Sequence, residues 1–136
     1  MLNKAILMGR LTRDPELRYT QSGLPVVSFA IAIDRKRAAQ GQEKQTDFIN
    51  VVAWRKTAEF VSRWFTKGMM IVVVGSIQSR RYQDKNGNNR TAIEVLASEV
   101  QFGEPKRSRE ANNPQNAEFA APDDFTELPD TEEVPF

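Results

Sequence analysis

Val, Ile, Leu and aromatic side chains concentrate in five stretches of this chain, residues 2–11, 26–35, 46–55, 69–82 and 90–102, while Gly, Pro, Asn and Asp lie mainly between them. That distribution predicts five strands. Between the third and fourth, Lys56 to Lys67 spaces Phe60, Val61, Trp64 and Phe65 as a helix does, and Gly68 follows as a suitable C-terminal cap. Trp64 and Phe65 are expected in the core on that stripe. The turn residues Asp84 to Asn88 predict a hairpin joining the last two strands. The order strand, strand, strand, helix, strand, strand predicts an all-β fold, a five-stranded Greek-key barrel of the OB type with one short helix. A small β-sandwich shares the same pattern.

Alternation assigns faces. In the third strand Ile49, Val51 and Ala53 form an apolar line suited to the core, which leaves Phe48, Asn50 and Trp54 on a partly wet side. Phe48 and Trp54 are then about 20 Å apart along the strand. In the fourth, Ile71, Val73, Gly75 and Ile77 continue as core, and Ser76, Gln78, Arg80 and Tyr82 share the other side. A Trp or Phe in a strand serves a core more often than a ligand. Here, however, Tyr82 ends the run Ser79-Arg-Arg-Tyr82, with Lys85 and Arg90 close by in the hairpin. Aromatic rings flanked by guanidinium groups suit stacked bases and the phosphates between them, and stacking needs no base-edge readout. Arg55 and Lys56, and the loop cations Arg35, Lys36, Arg37 and Lys44, could equally form a solvated basic surface.

Charge divides the chain. Residues 1–109 hold all 19 Lys and Arg against 10 acidic residues, a formal +9. Glu110 to Phe136 holds 8 acidic residues and no basic one. A basic body calls for a polyanion, and an acidic tail is itself one that can compete for the same surface. Beyond residue 104 the apolar pattern stops, so a disordered tail is expected. The chain thus reads as a nucleic-acid-binding domain over 1–104, a linker over 105–129 and an acidic tip over 130–136.

With no Cys and no His, the chain lacks thiol nucleophiles, disulfides, imidazole acid–base chemistry and Cys or His zinc sites. No phosphate-cradling glycine spacing or metal-binding carboxylate cluster is evident, so neither cofactor nor metal is expected. An OB-fold nuclease would need clustered acids, and Asp14, Asp34, Asp47 and Asp84 are scattered. The first ten residues are too short an apolar stretch for a membrane span, which suggests a soluble cytoplasmic protein.

Four segments carry a resemblance: MLNKAILMGRLTRDPELRYTQSG, QTDFINVVAWRKTAEFVSRWFTKG, VVVGSIQSRRYQDKNGNNRTAIEV and the terminal DTEEVPF. Together they resemble the bacterial single-stranded DNA-binding protein family. The resemblance implies an OB fold assembled as a homotetramer around single-stranded DNA, non-enzymatic, acting in replication, recombination and repair. It implies base stacking on Phe48, Trp54 and Tyr82, with Lys56, Lys67, Arg80, Arg81 and Arg90 at basic positions along the DNA path. Arg37 stands where many relatives carry an aromatic, and is expected to offer cation stacking or a phosphate contact instead. The tip resembles a peptide that docks on partner enzymes. Phe136 would enter an apolar pocket, Val134 and Pro135 would precede it, and Asp130, Glu132 and Glu133 would meet a basic rim. An OB module for single-stranded RNA is the alternative reading, since it would use the same basic and aromatic faces.

Overall fold

Val27, Phe29 and Ile31 are sealed from solvent while Ser28 between them is exposed, so the alternation along Pro25–Asp34 translates directly into an inner and an outer face. The computed structural model describes residues 1–36 and 39–105. Arg37, the chain beyond residue 105 and the tip residues 130–136 lie outside those described.

The elements are β1 (Ala5–Leu11), β2 (Glu16–Tyr19), β3 (Pro25–Asp34), β4 (Thr46–Trp54), α1 (Arg55–Trp64), β5 (Met70–Gln83) and β6 (Asn89–Phe102). They form one sheet in the order β1-β5-β6-β4-β3-β2, and β1 also pairs with β3 through Arg10↔Ala32 and Leu11↔Ile31. That second pairing closes β1, β5, β6, β4 and β3 into a ring. A single closed sheet replaces the sandwich alternative. All ladders in the ring are antiparallel except β4 with β6, which pair in parallel at Val51↔Val95 and Val52↔Leu96. The ring and its helix accord with the expected OB architecture.

β2 is a sixth strand that the sequence pattern does not announce. It hangs on the outside of the ring by its ladder to β3, from Glu16↔Ser28 to Tyr19↔Pro25. In Glu16-Leu-Arg-Tyr19 only Leu17 packs against the core, so no apolar run marks it.

The core includes Val27, Phe29, Ile31, Val51, Ala53, Ile71, Val73, Val95 and Ala97 from the ring, with Ala58, Val61 and Phe65 from α1 and its C-terminal flank. Phe65 stacks on Phe102 at 4.7 Å between ring centroids, and Phe60 meets both rings edge-on at 5.9 and 5.6 Å. β5 and β6 approach closely at Gly75, where a Cβ would collide with the Leu96 carbonyl oxygen. The β5–β6 ladder shifts register there, with Val74 opposite Glu99 and Gly75 opposite Ala97.

Four expectations need correction. α1 ends at Trp64 rather than Lys67, because Phe65 turns extended with φ −114° and ψ 140° to reach the core. Gly68, at φ 88°, shapes the turn into β5 instead of capping the helix. Trp64 is 52% exposed rather than core. Successive helical residues are about 100° apart, so a stripe aligned on Ala58, Val61 and Phe65 leaves Trp64 on a flank. Ile77 is also exposed: it lies just past Ala5↔Gly75, the last pairing of β1 with β5. The Asn3 side chain extends the ladder there, donating to the Ile77 carbonyl at 2.8 Å and accepting from its N–H at 2.9 Å.

Candidate nucleic-acid interface

The outer face of β3, β4, β6 and β5 collects the side chains left out of the core. Cross-strand register sets Trp54 opposite Val26, Val52 opposite Ser28, Gln78 opposite Glu94, Arg80 opposite Ala92 and Tyr82 opposite Arg90. A groove of about 480 Å³ runs across these strands, floored by Val52 and Leu96 and edged by Trp54, Ser28, Arg80 and Glu94. Phe48 stands on the same side of β4, opposite Ala32, with Ala30 paired to Asn50 beside it. These small neighbours leave its ring uncovered.

Phe48, Trp54 and Tyr82 are 68%, 40% and 43% exposed, values that core aromatics do not have. Their faces are therefore available to a flat ligand. The Arg80 guanidinium carbon lies 5.6 Å from the centroid of the Tyr82 ring, a cation–π geometry, and Arg80 Nε lies 3.6 Å from Glu94 Oε1. Arg80 is thus held between a ring and a carboxylate. Glu94, with only 19% of its side chain exposed, brings a negative charge into the groove.

Trp54 ends β4 in extended conformation, and Arg55 directly after it has φ 58°. Among the described residues Arg55 alone, apart from glycines, has a positive φ. That left-handed residue turns the strand into α1 with no side-chain cap at its start, and sets the exposed cations Arg55 and Lys56 next to Trp54 in the chain.

The hairpin is braced by Asp84. Its carboxylate accepts the N–H groups of Asn86 and Asn88, both at 2.9 Å, and Arg90 Nε at 3.1 Å. The Asn88 N–H and then the Arg90 guanidinium hold the Asp84 carboxyl below its ordinary range. Arg90 therefore shares the Tyr82 side of the hairpin with an acid already bound. Arg81, opposite Thr91, points to the other side. Lys67 lies beyond the far end of α1, where its N–H donates to Asp14 at 2.8 Å. The structure thus brings Trp54 and Arg80 to one groove, with Tyr82 against Arg80 and Phe48 further along β4, and holds Arg81 and Lys67 apart from it.

The basic loop after β3 is partly neutralised. Arg35 grips both carboxylate oxygens of Asp47 at 2.9 Å and donates to Gln45 at 2.7 Å, which holds the Asp47 carboxyl below its ordinary range. Lys44 pairs with Asp34 at 3.2 Å. These cations pin the base of the loop. Among the described residues Arg55, Lys56, Lys67 and Arg81 form no ion pair.

Sequence reasoning missed the groove's Glu94 and Ser28. The alternation of each strand locates them on an outer face, but their place beside Trp54 and Arg80 depends on which strands are neighbours. Among the described residues no three acidic side chains converge as metal ligands, and no helix is long and apolar enough to cross a membrane.

Comparison with known proteins agrees with this geometry. The family model described as "Single-strand binding protein family" matches residues 2–103. A single-stranded DNA-binding protein of Caldanaerobacter subterraneus is 43% identical over 128 residues, covering 94% of this chain and 85% of the relative. Single-stranded DNA-binding protein 2 of Listeria monocytogenes is 45% identical over 120 residues, covering 85% and 75%. Single-stranded DNA-binding protein 1 of Staphylococcus aureus is 46% identical over 110 residues, covering 81% and 70%. Each is named for binding rather than for a catalysed reaction. The chain, from its N-terminal strand to the end of β6, belongs to the single-strand binding protein family.

Proposed function

We propose that this protein binds single-stranded DNA without reading base edges, laying bases on Phe48, Trp54 and Tyr82 while nearby cations hold the phosphates. The observation that carries the reading is three exposed aromatic rings on one outer sheet face, one of them under an arginine at the edge of a groove. Each stacked base contributes roughly 1–3 kcal/mol whatever its identity. Arg55, Lys56, Lys67, Arg81 and Arg90 serve as phosphate contacts along the path, and Arg37 serves as one from the loop after β3. The names of the relatives support DNA over RNA.

The working form is a homotetramer. Supporting this, Ile6 and Met8 are exposed on the outer side of β1, paired in register with Val74 and Val72 of β5. Such a stripe is apolar surface that a second copy would cover. Replication, recombination and repair enzymes are recruited through the tip from Asp130 to Phe136, in the cytoplasm at the nucleoid.

Titration with oligo-dT, read by tryptophan fluorescence beside the mass of the free and bound protein, tests the reading. Quenching with a defined stoichiometry on a tetramer is expected. Absence of quenching and of a mass shift would reject it, and equal affinity for a matched RNA oligomer would reject the preference for DNA. Removing residues 123–136 should abolish capture of partner enzymes and tighten DNA binding at low salt.

A further inference from the structure

The helical stripe that seals the ring leaves a large aromatic outside, and that aromatic is not bare. The Arg63 guanidinium carbon lies 5.2 Å from the centroid of the Trp64 ring. Among the described residues the other cation over a ring is Arg80 over Tyr82 at the groove. The same pairing of ring and guanidinium thus occurs twice, once on the sheet and once on α1.

The position of Trp64 adds to the chemistry. Lys56, Phe60 and Trp64 follow one another at intervals of four along α1, a spacing that lines them up on one flank, and Lys67 comes three residues later. Phe60 is partly buried against Phe102, which leaves Lys56, Arg63 and Trp64 exposed along this side, and Lys67, also exposed, follows past the helix end. The flank begins two residues after Trp54, at the edge of the groove, and the ten-residue helix is about 15 Å long. Apolar surface alone would suit another protein chain. Exposed cations forming no ion pair among the described residues, interleaved with an exposed ring, match a strand carrying alternating phosphates and bases.

We infer that Arg63 and Trp64 form a second stacking site for single-stranded nucleic acid, reached by a strand that leaves the groove at Trp54 and runs along α1 over Lys56 toward Lys67. The inference rests on the proposed DNA binding at the groove. It extends that reading to a surface that strands confined to the groove do not touch.

The chain contains 2 tryptophans, Trp54 and Trp64, so each can be observed alone. In the full-length Trp54→Phe variant, emission comes from Trp64; in Trp64→Phe, it comes from Trp54. Oligo-dT of increasing length should quench Trp54 first and Trp64 only with longer oligomers. Arg63→Ala and Trp64→Ala should each weaken binding of the long oligomers about fivefold or more, and change that of the shortest by less than twofold. Trp64 emission unmoved by any length, while Trp54 responds, would overturn the second site and leave the groove intact. Silence of both would overturn the groove reading and this one together. A Trp64→Ala protein of reduced assembly mass would mark Trp64 as a contact between copies, and would also overturn it.

Discussion

Between Trp54 and Arg55 the backbone passes from φ −122°, ψ 154° to φ 58° in one residue, so an exposed ring is followed at once by a cation in left-handed conformation. A residue with a Cβ is disfavoured there by about 1–2 kcal/mol, whereas glycine is not. Arg55→Gly should therefore raise the thermal midpoint by several degrees at fixed protein concentration, while lowering DNA affinity severalfold through loss of the cation. Arg55→Ala keeps the strain and should lose only affinity. A glycine variant no more stable than the alanine variant would show that Arg55 carries no strain.

Truncating the exposed rings should separate binding from folding. Phe48→Ala, Trp54→Ala and Tyr82→Ala each remove a stacking surface worth about 1–3 kcal/mol, or roughly 5- to 150-fold in affinity. Their circular dichroism and thermal midpoints should stay close to the parent, because none of the three rings is core. Affinity unchanged in all three would remove the aromatic part of the proposal.

Glu94 would oppose a polyanion entering the groove. Glu94→Gln should free Arg80, remove an acid from the groove and tighten DNA binding, most clearly at low salt. Across a salt series the logarithm of the binding constant should fall with log salt by about 0.7 for each phosphate neutralised, and the variant should show the steeper slope. Identical curves for the two proteins would mean that Arg80 is not in contact with phosphate.

Acid should loosen the edges of the site before the core. Asp84, Asp47 and Asp34 all have carboxyl groups held below the ordinary 3.8 by hydrogen bonds and paired cations. Groups lowered in the folded state stabilise it above about pH 4, and that contribution disappears as pH falls through their lower folded values. Thermal midpoints should accordingly be flat from neutral pH to about pH 5 and drop below pH 4. Asp84→Asn should flatten part of that drop, since an amide cannot hold Arg90 by charge. An unaltered acid limb would exclude Asp84 as a contributor.

Gly75→Ala tests the close approach of β5 to β6. The obstacle is the Leu96 carbonyl, which belongs to backbone and cannot swing aside. A destabilisation of about 1–3 kcal/mol or more is expected from denaturant unfolding. A neutral result would mean that the register shift between Val74 and Gly75 can relax.

Much of this protein was legible before any coordinates. β-branched runs broken by Gly, Asn and Asp marked the five strands of the ring, since strand formation and burial both act on neighbouring residues. The same alternation separated Val51 and Ala53 from Phe48 and Trp54, and the latter pair is indeed exposed. Tertiary structure decided what depends on residues distant in the chain. Ile77 continues an inward line but is exposed, lying past the end of the ladder between β1 and β5. Trp64 fits a helical stripe but not the stripe that Phe65 completes. Glu94 enters the groove, and Arg35 is taken up by Asp47, through pairings between strands that no local pattern specifies. Periodicity tells a side chain which face it is on, whereas packing determines what, if anything, covers that face.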